Sequence, residues 1–394
     1  MGRGRLAALV LVVLALSCYL TVLPVFAPRL QQHFSITNRQ LGTLLSCQVL
    51  GGLLGFLLVM PAVAYLGVAR TTQIAAFAAG ASFLAAGLAR SLPGLEAGLL
   101  FVGLFSGALF VSSMALLVEL FPEWKRRMVA VTLAASSAPA IVFPPLAQWA
   151  LSRLVDTAKA TVEMVVQWPL AAIGAVIVMG ALLIGLGRRC GGHATSSSAV
   201  KIRWREMLTP QTAVVLLLAA LHGGADTGLY SWMPKYMTRQ FAHLPIAPGV
   251  VLAAYSVAYL LARLLQAALP EKRGQRAFLT LAGPVGGLIV LAAIWHADAL
   301  GLAMLYPLAG MVWCLEFPAL IAEAETEGAA EFSGVVAGSQ LASYLGAVGQ
   351  LNLIGWLADR TGNFPLALTA PALSFLAFGL IAALARLGKT GPQA

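Results

Sequence analysis

RRCGGHATSSSAVKIRWRE, residues Arg188–Glu206, is the longest polar connection in a chain otherwise made of apolar tracts. Its Gly, Ser and Thr residues suit a flexible linker. Working outward, six apolar tracts precede it, at 6–27, 41–66, 71–89, 97–118, 128–151 and 167–187. Six more follow, at 211–234, 248–269, 277–297, 299–322, 332–358 and 364–385. A helix needs about 20 apolar residues to cross a hydrocarbon core of about 30 Å. The tracts do not alternate polar and apolar residues as barrel strands do. All twelve are therefore read as transmembrane helices of an all-α membrane protein. The expected units are a six-helix bundle over 1–187, a linker over 188–206 and a second bundle over 207–394.

Composition supports a lipid solvent. Of 394 residues 60% are hydrophobic and 10% charged, against about 25% charged in soluble domains. The net charge of +10 does not point to nucleic acid, because the bases form short clusters between tracts instead of one basic face. Such clusters orient a chain in a bilayer. With the N-terminus inside, the inner segments hold 16 Lys and Arg residues and the outer segments 8. Both termini are expected in the cytoplasm, in the cell membrane. The first apolar run, Leu6–Ala27, has 22 residues. That exceeds the roughly 7–15 of a signal-peptide core, so a spanning helix is expected.

Several chemistries are excluded. Cys18, Cys47, Cys190 and Cys314 show no CxxC spacing, so neither a disulfide framework nor a metal site is expected. There is no GxSxG, HExxH or Walker loop, which argues against an enzyme, a cofactor and an ATP-driven pump on this chain.

Ionisable groups inside hydrocarbon are costly, and a functional role is the default reading where they persist. His222, Asp226 and Tyr230 recur every four residues in the seventh tract, and Tyr255, Tyr259 and Arg263 do so in the eighth. Each set shares a helix face. In the tenth, Trp313 and Glu316 are three apart and expected to be neighbours. In the eleventh, Gln340, Ser343 and Tyr344 cluster on one side, while its glycines at 334, 338, 346, 349 and 355 favour close packing. Gln350 and Asn352 suit interhelical hydrogen bonds; Gln48 and Gln148 could bind solute or neighbouring helices. A cavity lined by His222, Tyr230, Tyr255, Tyr259, Arg263, Trp313, Gln340 and Tyr344 would bind a polar solute. Asp226 and Arg263 alternatively form a mutual ion pair. Asp226, Glu316 and Glu119, in that order, are the candidate carriers of a coupling proton.

Six helices, a basic linker and six more helices resemble the layout of the major facilitator superfamily, across essentially the whole chain. LPEKRGQR, Leu269–Arg276, is similar to the superfamily's acidic–basic loop motif, with Glu271 as the acid, Lys272 and Arg276 as bases and Gly274 as the glycine. The resemblance implies a conformational latch there. Its first-half counterpart, VAYLGVART, keeps Gly67 and Arg70 but has Ala64 at the acid position. ELFPEWKRRMVA after the fourth tract resembles the family's loop between helices 4 and 5. Asp359, Arg360, Thr361 and Gly362 imitate the motif but read as the end of helix 11. Trp232, Pro234 and Tyr236 resemble a W-x-P-x-Y helix ending of sugar and organic-acid members, including fucose permease relatives. They also fit an interfacial aromatic belt with a helix-ending proline. The fifth tract, TLAASSAPAIVFPPLAQWA, lacks the glycines of the efflux signature.

The resemblance implies two pseudo-symmetric six-helix bundles around a central cavity. It also implies a monomeric secondary transporter, working by alternating access and coupled to H+. A small polar, sugar-like solute is the first expectation. An organic anion, amphipathic efflux and a non-transporting sensor are the alternatives.

Overall fold

The structure is a computed structural model, describing residues 23–120, 125–155, 168–186, 209–241, 243, 245–268, 275–325 and 329–385, and the single residues 10, 17 and 21. Among the described residues the regular structure is helical. Eight helices there are long and apolar enough to cross a membrane.

The chain divides into two compact units. One comprises Met1–Ile36 and Leu44–Ala199, the other Thr37–Thr43 and Val200–Ala394. In the first, a helix over 23–34, α1, precedes α2 (Asn38–Leu66), whose tip belongs to the second unit. The charge-free stretch before Arg70 forms one long helix with Pro61 inside it. It stops at Gly67, where φ is +76°, a conformation open to glycine because it has no Cβ. Helices α3 (Val68–Gly87), α4 (Leu92–Leu120), α5 (Lys125–Val155) and α6 (Trp168–Leu186) follow, with α3 packed on α4 and α6.

The second unit carries α7 (Pro210–Gln240), α8 (Pro248–Ala268) and a single turn, Gln275–Ala277. A π-helical segment, Phe278–Ala282, leads into α9 (Gly283–His296). The tenth tract is two helices, α10a (Ala299–Trp313) and α10b (Glu316–Glu325). Helices α11 (Ala329–Thr361) and α12 (Phe364–Leu384) complete it. Side-chain caps start three of these helices: Thr209 accepts from Thr212 N–H, Asp298 from Gly301 N–H and Asn363 from Leu366 N–H. Asp298 thus caps α10a two residues after α9 ends at His296, so a tight turn joins the two helices. Helix α7 packs on α11 and α12, α9 on α10a and α12, and α8 on α10a.

The structure corrects three expectations. Helix α7 does not end at Pro234 but runs to Gln240. Trp232 and Tyr236 are 0% and 1% exposed, so they form core and not an interfacial belt. Tyr236 donates its hydroxyl to Ile294 O at 2.8 Å, and both rings pack on Phe364. Second, the tenth tract breaks at Cys314–Leu315. Pro318 has no N–H for the Cys314 carbonyl, and its ring crowds that oxygen. The Leu315 carbonyl beside the break accepts instead from Gln266 Nε2 at 3.2 Å. Third, the α11 glycines differ. A Cβ at Gly346 would lie 1.9 Å from Ala220 O and one at Gly355 2.4 Å from Asn38 O, whereas one at Gly349 would meet nothing within 4 Å.

Candidate functional site

The two prolines of α9 and α10b shape a buried acid site. Pro284 has no N–H for the Thr280 carbonyl, and the wider π turn Phe278–Ala282 falls there. Single π turns inside helices are frequent at functional sites. Glu316 opens α10b and is 0% exposed. His222 of α7, 4% exposed, places Nδ1 2.8 Å from Glu316 Oε2. The other oxygen, Oε1, abuts Gly283, where a Cβ would come within 1.7 Å of it. Phe317, Phe375 and Phe378 enclose the imidazole at ring-centroid distances of 5.7, 5.8 and 6.3 Å.

One turn along α7, Asp226 belongs to a different cluster. Its Oδ1 accepts hydrogen bonds from the Tyr255 hydroxyl and from Trp313 Nε1, the latter at 3.1 Å. Trp313 Nε1 is also 3.2 Å from Tyr255 Oη. Tyr255 stacks on Tyr306 with centroids 4.8 Å apart, and lies 5.7 Å from Tyr230 and 5.5 Å from Tyr259. Trp313 stacks on Phe375 at 4.4 Å, which links the two clusters. Asp226 and Tyr230 remain partly exposed, while Tyr255, Tyr306 and Trp313 are buried.

Sequence spacing therefore found the right faces of α7 and α8 but not the partners. His222, Asp226 and Tyr230 do face one side, yet the first joins Glu316 and the others join α8. Trp313 and Glu316 are not one patch: the break hands Trp313 to Asp226 and Glu316 to His222. Asp226 and Arg263 do not pair. The exposed Arg263 lays its guanidinium 4.5 Å from the Tyr259 ring centroid. Tyr306 and Gly283 were not singled out, although Gly283-Pro284 is a local signal that could have marked the π turn.

In α11, Ser343 is buried against α7 and donates to Ala219 O at 3.0 Å. Gln340 and Tyr344 are partly exposed. Asn352 bonds within its helix to Val348 O and to Thr43 at the tip of α2, in keeping with the interhelical role expected for it. That tip is held by Asp359, which sequence reading passed over as a helix end. Its carboxylate accepts from the backbone N–H of Asn38 and Arg39, at 3.1 and 2.7 Å, and from Asn38 Nδ2 at 2.6 Å. Lys235 Nζ contacts Asn38 Oδ1 and lies 5.2 Å from the Trp232 ring centroid.

A sequence model of the Major Facilitator Superfamily matches residues 7–339. The chain belongs to the major facilitator superfamily. Among solved structures it is similar to a bacterial homologue of the human lysosomal transporter Spinster, with 14% identity, 98% of each chain covered and a TM-score of 0.73. It is also similar to a D-xylose–proton symporter, with 13% identity, 97% of this chain and 96% of that one covered, and a TM-score of 0.71. The Escherichia coli fucose–proton symporter aligns with 16% identity over 96% of this chain and 98% of its own, with a TM-score of 0.62. No curated protein sequence matches the chain. At these identities the likeness shows the superfamily's fold.

Within that fold the expected latch loop is only partly visible. Glu271, Lys272 and Gly274 lie outside the described residues. Arg276 is exposed in the single turn before the π segment. Glu119 lies in the last turn of α4, and its side chain is outside the described residues.

Proposed function

We propose that this superfamily member is a secondary active transporter of a small polar solute, driven by a proton gradient and working by alternating access. It works as a monomer in the cell membrane, with both termini in the cytoplasm and the proton as its one coupling ion. The observation that carries this reading is Glu316. A carboxylate with no exposure, paired with one imidazole at a helix break, is costly to keep charged. Gaining or losing a proton changes its cost, and a conformational change that alters its surroundings then shifts with protonation. Glu316 with His222 is the proton-exchanging pair. The Asp226 cluster, partly exposed and walled by Tyr230, Tyr255, Tyr259 and Trp313, is the solute cradle. The D-xylose and fucose neighbours are named as proton symporters, in keeping with this reading.

The test is solute-driven proton flux in proteoliposomes. Glu316→Gln should abolish proton movement and keep solute counterflow. Coupling that survives at full strength in this variant overturns the assignment. Binding without counterflow in the unmodified protein would make the chain a sensor. Arg263, exposed beside Tyr259, supports a second reading, an organic anion. A thermal-shift panel in which carboxylates stabilise the protein and polyols do not would establish it.

A further inference from the structure

We infer that the cradle around Asp226 recognises a protonated amine on its solute. The inference rests on the proposed transport reading and names the chemical class that the site takes. Three observations carry it. First, Asp226 makes no salt bridge among the described residues. The only His, Lys or Arg salt bridge of the second unit's described core is His222–Glu316, and Arg263 lies over Tyr259. Second, the carboxylate is used on one side only. Both donors, Tyr255 Oη and Trp313 Nε1, address Oδ1, and Oδ2 has no hydrogen-bond donor among the described residues. Third, the walls are π faces. Tyr230, Tyr255, Tyr259 and Tyr306 are linked through Tyr255, at centroid distances of 5.7 Å or less. Tyr306 is 0% exposed, and its hydroxyl has no hydrogen-bond partner among the described residues.

An ammonium group matches all three. It carries three donors and no acceptor. It can therefore serve a carboxylate oxygen and a hydroxyl that both lack donors. Aromatic faces attract cations within about 6 Å of the ring centroid, more strongly once desolvated. Arg263 takes the Tyr259 ring, which leaves the partly exposed Tyr230 ring for the solute. A neutral hydroxyl would satisfy Oδ2 but bring no positive charge to the carboxylate. The solute is accordingly a small polar compound with a primary amine, not a neutral sugar.

The experiment pairs probes of equal size on the full chain in detergent. Glucosamine is compared with glucose, ethanolamine with ethylene glycol, and tetramethylammonium is added as a cation without N–H donors. Binding is read by thermal shift and tryptophan fluorescence. The amines should bind at least tenfold more tightly than their neutral partners. Asp226→Asn should remove that preference, and Asp226→Glu should restore part of it. Tyr230→Leu should weaken amine binding more than Tyr230→Phe, which keeps the ring. Melting without ligand checks that each variant folds. Equal binding of amines and neutral partners overturns the inference, as does an amine preference that survives Asp226→Asn, or no shift by any amine. Transport of a neutral sugar with intact proton coupling would sink this inference alone. Amine binding without counterflow would sink the transport reading and leave the amine site standing.

Discussion

A methyl group at position 283 would sit 1.7 Å from Glu316 Oε1, so the carboxylate and the glycine are fitted to each other. Gly283→Ala should displace Glu316, destabilise the protein by about 1–3 kcal/mol through overpacking, and lower proton coupling. Melting temperature and proton flux measure the two effects. His222 gives the complementary case. His222→Ala leaves a buried carboxylate without its partner, and breaking a buried pair costs about 3–5 kcal/mol. His222→Ala combined with Glu316→Gln should cost clearly less than the two single changes added together, because the neutral amide no longer needs the imidazole. Strict additivity in a double-mutant cycle would mean that the 2.8 Å contact carries no coupling energy.

At the scale of elements, proline places the irregularities where the chemistry is. Pro318 breaks the tenth helix, and Pro284 follows the π turn of the ninth. Pro318→Ala supplies the missing N–H and removes the clash with the Cys314 carbonyl, which favours one continuous helix by about 3 kcal/mol. The variant should melt no lower than the native protein yet lose solute-driven proton flux, since Trp313 and Glu316 would leave their separate partners. Unchanged flux would reduce the break to a packing detail. Helix α11 offers a contrast within one element. Gly346→Ala meets Ala220 O at 1.9 Å and should destabilise the α7–α11 contact, while Gly349→Ala meets nothing. The second change should be neutral or stabilising by roughly 0.5–1 kcal/mol, since alanine loses less backbone entropy than glycine in a helix. Thermal melts of both variants decide it.

Across the whole molecule, orientation is the prediction that follows from charge. Single cysteines placed in the 188–206 segment and near either terminus should react with impermeant reagents only from the cytoplasmic side. Labelling from outside would reverse the topology. Much of the molecule at this scale was legible in its sequence: the all-helical class, the eight spans seen among the described residues and the family. A hydrocarbon slab of about 30 Å fixes the length of an apolar helix whatever it packs against. Composition and tract length therefore carry that information locally. Helix faces were legible too, because the 3.6-residue period places His222, Asp226 and Tyr230 together without reference to any neighbour. The same period misled at Trp313 and Glu316. It holds only while the helix is unbroken, and Pro318 breaks it between them. Which groups meet was decided by tertiary structure alone. His222 reaches Glu316 from 94 positions away and Asp226 meets Tyr255 from 29. Asp359 reaches back 321 positions to cap the start of α2 at Asn38. Such pairings depend on how helices rotate and approach one another. That is set by contacts as small as the absent Cβ atoms of Gly283 and Gly346, which a one-dimensional pattern does not record.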